Sequence, residues 1–326
     1  MLKLRTLPAL AALAAFSLST ACSALPHTQG EKYYLIVPNI KSPYFIQLNA
    51  GLEHAAAQIQ VHVAMIGPES YDPAGENSEF NRIAALKPAG MLVSVADAKL
   101  MTPSINAAVE AGIPVITVDS DAEASKRLFF VGSDNFDVGE LGGRLLADKL
   151  DGKGNIAALY TRGQPNLEKR MEGYKSILAM HPGMKLVDQG DLKGDPDNAF
   201  DTAEALLKKD NPKLDGFIVL EAQAGAQVSE VMKRDNLKLV FIAMDALPGI
   251  LDGIDSGRIT ASVAQKPFTM GYTGLRMLAD LYLYKVPSLT LDFAHDPKSP
   301  IPAFVDTGVG MVDKSNLKVY RDAAAK

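Results

Sequence analysis

Short β-branched apolar runs alternate with amphipathic stretches along this chain, and the runs stop abruptly at polar residues. The segment AGIPVITV shows the pattern: the run Ile113 to Val118 ends at Asp119-Ser120-Asp121. An uninterrupted run of that length predicts a strand buried on both faces of a parallel sheet. In open α/β sheets the crevice lies just past the carboxyl ends of the strands, which is where Asp119 falls. A further short strand, Leu128 to Val131, is followed by Gly132-Ser133-Asp134-Asn135 and a new helix. We read this as the place where the chain leaves one α/β lobe and enters another.

The rest of the sequence supports two such lobes. Before Ile113, strands are expected at Tyr33–Val37, His62–Ile66 and Met91–Val95, with helices at Tyr44–Gln58, Ser78–Leu86 and Pro103–Ala111. After Asn135 the pattern restarts with a helix over Val138–Leu150. Strands follow at Asn155–Tyr160, Lys185–Gln189, Gly216–Leu220, Leu239–Met244 and Thr260–Ala264. Helices are expected at Leu167–Met180, Asn198–Lys209, Ala224–Arg234, Pro248–Ser256 and Met270–Tyr284. A Pro-rich stretch, Val286–Pro302, reads as exposed, and an apolar segment, Ala303–Val312, closes the series. Strand–helix alternation at this spacing predicts right-handed crossovers and mostly parallel sheets. The expected fold class is α/β: two Rossmann-like, doubly wound lobes with a cleft between them.

Composition excludes several function classes. At 326 residues the chain suits two domains, and 47% apolar with 22% charged residues is ordinary for a soluble globular protein. A formal net charge of −5 argues against nucleic acid as a partner. Residues 1–30 read as an export segment and spacer, with basic Lys3 and Arg5 and an apolar Leu7–Leu18. The single cysteine, Cys22, follows Leu18-Ser19-Thr20-Ala21, which resembles a bacterial lipoprotein processing site; ordinary cleavage after Ala24 is the alternative. Either route places the mature chain in the periplasm or cell envelope. With no further cysteine, no internal disulfide is available.

Polar residues collect just beyond the strand ends: Asn39 to Phe45, Asp119, the loop before Arg170, Glu221, Asp245 and Gln265. Carboxylate, guanidinium and amide groups can satisfy a hydroxyl that both donates and accepts. Tyr44 and Phe45 can stack on the C–H face of a sugar ring. Blander roles exist for each: Asp119, Asp245 or Glu221 as a helix cap, Phe45 as core, Arg170 on a solvated helix face. The five histidines are dispersed, with none in metal-ligand spacing. No phosphate-binding loop or nucleophile elbow occurs, so no cofactor, metal or enzymatic activity is expected. Gly139, Gly142 and Gly143 lie on a helix, not between strand and helix, which disfavours a dinucleotide site.

Six segments together resemble the bacterial periplasmic sugar-binding proteins of the ribose-binding type, whose fold is shared with lactose-repressor effector domains. They are Ser42-Pro43-Tyr44-Phe45, the Ala111–Asp119 strand, Val131-Gly132-Ser133-Asp134-Asn135, Arg170-Met171-Glu172-Gly173-Tyr174, Met244-Asp245 and Ala264-Gln265. The resemblance implies that Tyr44 and Phe45 flank a sugar ring and that Asp119, Arg170, Asp245 and Gln265 hold its hydroxyls. Ser42 stands where ribose binders carry Asn, Ser120 where they carry a second Arg, and Glu221 where they carry Asn. The aromatic of the loop after Gln189 is replaced near Lys193 and Gly194. These departures point away from ribose and towards another neutral monosaccharide, polyol or cyclitol.

The family architecture further implies three hinge crossings, near Ser133, Gln265 and Asp306. One lobe is then expected over 31–133 plus 266–304 and the other over 134–265 plus 305–326, closing on ligand. The implied role is the monomeric solute receptor of an ATP-binding-cassette sugar importer, presented to an inner-membrane permease. A receptor subunit for a chemoreceptor or sensor kinase is the alternative. A sugar-responsive transcription regulator would need a DNA-binding segment where this chain carries its export signal.

Overall fold

The computed structural model describes residues 27–324 except 196–197, 209–211, 287, 290–292 and 294–295. The export segment and Cys22 lie outside the described residues. The first half runs β1 (Lys32–Ile36), α1 (Pro43–Ile59), β2 (His62–Ile66), α2 (Pro73–Ala84), β3 (Gly90–Val93), α3 (Ala98–Glu110), β4 (Val115–Val118) and β5 (Phe130–Gly132). The second runs α4 (Asn135–Lys149), β6 (Lys153–Tyr160), α5 (Pro165–Met180), β7 (Gly183–Asp191), α6 (Asn198–Leu207), β8 (Gly216–Val219), α7 (Ala224–Arg234), β9 (Val240–Met244), α8 (Pro248–Asp255) and β10 (Ala261–Ala264). Helix α9 (Pro267–Leu283), β11 (Phe304–Asp306), β12 (Gly310–Val312) and α10 (Leu317–Ala324) complete the chain.

The strands form two six-stranded sheets, ordered β11-β5-β4-β3-β1-β2 and β12-β10-β9-β8-β6-β7. Every pairing is parallel except the edge pair β10–β12. The two orders are equivalent strand for strand, so the duplication expected from the alternation is present in topology. β3, β4, β8 and β10 are buried along their whole length, as uninterrupted apolar runs require when helices cover both faces. In the first lobe, Leu48, Leu52, Leu275 and Leu278 of α1 and α9 fill one face, and Phe80, Met101 and Ile105 of α2 and α3 fill the other.

Two helices are exchanged between the halves. Helix α4 follows a strand of the first sheet but packs on α5 of the second lobe, and α9 follows β10 but packs on α1 of the first. Each exchange rests on a pair of glycines. A Cβ on Gly139 would stand 1.9 Å from the Arg170 carbonyl, and one on Gly173 2.1 Å from that of Phe136. In the other lobe, Cβ atoms on Gly51 and Gly271 would stand 1.9 Å from the Phe268 and 2.0 Å from the Leu48 carbonyl. Gly139 thus lets helix backbones touch, which explains a glycine on a helix without a nucleotide.

Several expected boundaries move. Helix α2 starts at Pro73 rather than Ser78, because Asp72 accepts from the amides of Ala74 and Gly75 and Pro73 needs no partner for a missing N–H. Helix α3 starts at Ala98, capped by Asp97, and carries Pro103 inside instead of beginning there. The stretch expected to be exposed contains Phe293 and Ile301, each 5% exposed and packed in the first core. Val305 and Asp306, expected in the second lobe, pair with Val131 and Gly132 of the first sheet. The third crossing therefore falls at Thr307–Val309, where the Thr307 amide donates to the Gly132 carbonyl at 2.8 Å and ties it to the first crossing.

Gly139→Ala is expected to lower the unfolding free energy in urea by about 1–3 kcal/mol, the scale of overpacking a tight contact. An unchanged midpoint would mean that α4 and α5 are not in close contact in solution.

Candidate functional site

The carboxyl tips of both sheets face each other across a cavity lined from both lobes. Asp119 and Asp245 occupy equivalent places, directly after β4 and β9. Each has a left-handed backbone, with φ of 66° and 67°, and each donates its amide to the neighbouring strand, Asp119 to Val131 at 3.0 Å and Asp245 to Val263 at 2.8 Å. Neither caps a helix. The strand is turned sharply at its end, at a cost on the order of 1–3 kcal/mol for a non-glycine residue, and the carboxylate lines the cavity.

From α5, Arg170 enters the same space and is only 1% exposed, so it does not belong to a solvated helix face. One terminal nitrogen donates to the Leu220 carbonyl and the other to Asn135 Oδ1 at 2.6 Å, while Nε has no protein partner. Glu221 accepts at one oxygen from the Thr161 amide at 2.7 Å and hydroxyl at 3.0 Å. Helix α7 begins after Gln223, so Glu221 is not its cap. The Gln265 amide donates to Asp245 Oδ1 at 3.0 Å, and its side-chain Oε1 is buried without a partner.

The first lobe supplies the aromatic wall. Tyr44 donates its hydroxyl to Asp119 Oδ1 at 2.7 Å and meets Phe45 edge to face at 5.6 Å. Ser94 donates to Asp119 Oδ2 at 2.9 Å, so the carboxylate is oriented from both sides. Phe45 is at once core and wall, because it belongs to the first-lobe cluster and lines the cavity. The Ser42 hydroxyl accepts from Gln223 Nε2 of the second lobe. Ser120 is a correction: it is fully buried, donates to the Val95 carbonyl at 2.6 Å and does not line the cavity. The reversal of the chain at Asp119 sends the next side chain back into its own lobe. Eight of the nine expected residues are therefore brought together.

Sequence reasoning missed Tyr71, Gln164, Asn166 and Gln223, all of which line the cavity. Gln164-Pro165-Asn166-Leu167 opens α5 as Ser42-Pro43-Tyr44-Phe45 opens α1, so the duplication itself carried a signal for Gln164 and Asn166. Tyr71 carried only the weak signal of an aromatic in a polar loop. It comes from the first lobe and fills the space opposite Gly194, where a Cβ would stand 1.8 Å from its ring. The missing second-lobe aromatic is thus matched by one from across the cleft. Among the described residues no group of His, Cys, Asp or Glu is arranged to hold a metal ion.

Burial pushes all three cavity carboxyls above their ordinary range. Asp245 rises to about 6, with Arg170 opposing the shift and Asp119 adding to it. Asp119 and Glu221 move in the same direction for the same reason. A carboxyl raised in the folded state binds protons more tightly than when unfolded, so its stabilising contribution is full below about pH 4 and lost as pH rises through about 6. Asp245→Asn removes the buried charge and keeps a residue type that tolerates positive φ. It is expected to stabilise the ligand-free protein at pH 7.5 by up to about 3 kcal/mol and to flatten its stability between pH 4.5 and 7.5, as read by urea unfolding. A variant no more stable than the parent at pH 7.5 would refute this account of the site.

Comparison with known proteins agrees with the fold. Residues 33–284 match the periplasmic binding protein domain family. A sugar ABC transporter sugar-binding protein from Bacillus halodurans superposes with a TM-score of 0.78 at 31% identity, over 89% of this chain and 100% of that one. A solute-binding protein from Burkholderia graminis in complex with D-arabinose gives 0.81 at 25% identity, over 90% and 98%. The ribose import binding protein RbsB of Bacillus subtilis is 24% identical over 265 residues, 78% of this chain and 86% of that protein. These relatives are binding proteins, not enzymes. With a match over most of its length and both lobes in the expected topology, the chain belongs to the periplasmic binding protein family.

Proposed function

We propose that this protein is the extracytoplasmic receptor of an ATP-binding-cassette sugar importer and holds one neutral monosaccharide, polyol or cyclitol between its lobes. One observation carries the reading. Groups of opposite hydrogen-bonding sense, Arg170 Nε as donor and the Gln265 and Asn166 side-chain oxygens as acceptors, are buried without protein partners on residues lining one cavity. Buried polar groups are seldom left unpaired, and a ligand that both donates and accepts completes them. Relatives named for ribose, D-allose and D-arabinose support a carbohydrate. Tyr44, Phe45 and Tyr71 supply the faces for ring C–H groups, while Asp119, Asp245, Glu221 and Arg170 hold hydroxyls.

Release requires the lobes to part about the three crossings. In this arrangement Ser42–Gln223 and Tyr71–Gly194 are among the contacts that separate, together with Ala222 and Leu247 against the first-lobe core. The export segment and Cys22 support an envelope location with a lipid anchor, and the closed receptor would be read by a permease. Among the described residues no helix is long and apolar enough to cross a membrane.

A thermal-shift screen of the mature protein against pentoses, hexoses, polyols and cyclitols tests the reading. A ligand at a hundred times its Kd is expected to add about 2.7 kcal/mol of stability, and a screen without any shift would remove the proposal's support. Asp119→Ala and Arg170→Ala are each expected to weaken binding by about 1.5–3 kcal/mol by calorimetry. Gly194→Ala, which sets a Cβ against the Tyr71 ring at a residue with φ of 75°, is expected to weaken ligand binding at least tenfold by calorimetry. Affinity equal to the parent's would show that the Tyr71–Gly194 contact does not limit closure.

A further inference from the structure

A second gap of about 1050 Å³ lies between the lobes beside the first crossing, and the main cavity's chemistry does not account for it. Its wall is an aromatic pair set in register on adjacent strands: Phe304 of β11 opposite Phe130 of β5, ring centroids 5.3 Å apart and planes within 10°. Phe130 leans over Gly132, where a Cβ would stand 2.3 Å from its ring, so the glycine makes room for it at the end of the strand. Phe304 remains 37% exposed. Among the lining residues, the Ser133 hydroxyl, on a residue 1% exposed, is buried without a protein partner, and Ser133 does not line the main cavity.

The charges around the gap are largely spent elsewhere. Arg127 makes two bonds to Asp121, Nε at 2.6 Å and a terminal nitrogen at 2.5 Å. Asp134 caps α4 through the Phe136 and Asp137 amides, and Lys169 pairs with Glu172 at 3.1 Å. What the gap offers is a flat apolar wall, one hydroxyl and, at its exposed rim, the Glu123 carboxylate as a hydrogen-bond acceptor. That combination suits a neutral ring with an apolar C–H face and hydroxyls at its edge. We propose that this groove is a second binding site, for a neutral hydroxylated ring such as a pyranose or cyclitol.

The groove is coupled to the main cavity by two residues. Asn166 lines both spaces, and Asn135 lines the groove while accepting from Arg170. A ring in the groove touches both lobes, so its occupancy shifts the affinity of the main cavity, and the reverse shift is equal.

The test silences the main cavity without disturbing its backbone. Asp119→Gly/Asp245→Gly removes both carboxylates at positions whose positive φ suits glycine. Saturation-transfer NMR on this protein with D-glucose, D-ribose and myo-inositol at millimolar concentration is expected to show transfer to ring C–H protons. Adding Phe304→Thr, or separately Ser133→Ala, is expected to reduce that transfer at least threefold, with folding checked by circular dichroism. No transfer in the double-glycine protein, or transfer unaffected by both further changes, overturns the proposal. Transfer to tetramethylammonium but to none of the three neutral compounds overturns the assignment of ligand class. The double-glycine background separates this result from the main cavity's ligand: a thermal shift seen in the parent but lost in the double-glycine protein belongs to the main cavity, and one that persists belongs to the groove.

Discussion

Most of this structure can be understood from one buried cation. Arg170 is 1% exposed, is held by a carbonyl and an amide, and faces carboxyls from strand ends of both lobes. Burying four ionisable groups together is costly unless their remaining lone pairs and protons are satisfied. The raised carboxyls of Asp119, Glu221 and Asp245 express that cost directly. Their burial therefore costs the ligand-free protein stability, and under the function proposed above a hydroxylated guest offsets that cost when it binds. Under the same proposal the cavity is selective, because a guest lacking a hydroxyl leaves a charged group dry and unpaired.

Keeping such a site in place requires two lobes joined in a fixed register. The exchanged helices α4 and α9 provide it. Each crosses from the sheet that precedes it to the helix layer of the other lobe and is clamped there by a glycine pair, Gly139 with Gly173 and Gly271 with Gly51. The helix carrying Arg170 is thus set by backbone contact rather than by long side chains. The three crossings at Ser133–Asp134, Gln265–Lys266 and Thr307–Val309 then lie side by side, with Thr307 tied to Gly132.

Much of this was legible beforehand, and the reason differs by element. Parallel strands buried on both faces must be continuous apolar runs, so β4, β8 and β9 and the polar residues that end them stood out. Helix starts were less legible. Asp72 and Asp97 look like loop residues until their carboxylates are seen to accept from the following amides, and Pro103 looked like a start while it lies inside α3. The exposed reading of Val286–Pro302 holds at Asp296–Lys298, Pro300 and Pro302 but not at Phe293 and Ile301, because proline content reports the lack of regular structure, not the position of a side chain against the core.

At the site, the sequence by itself determined which residues end the strands, since a β run cannot continue buried through Asp119, Glu221 or Asp245. It also determined the duplication, and with it the presence of two facing sets of tips. Only the tertiary structure decided the direction of each side chain. Asp119 and Ser120 are neighbours, yet a left-handed turn sends one into the cavity and the other into its own lobe. It also decided that Tyr71 answers Gly194 from across the cleft, because that contact joins residues far apart in sequence whose meeting depends on how two lobes are set against each other.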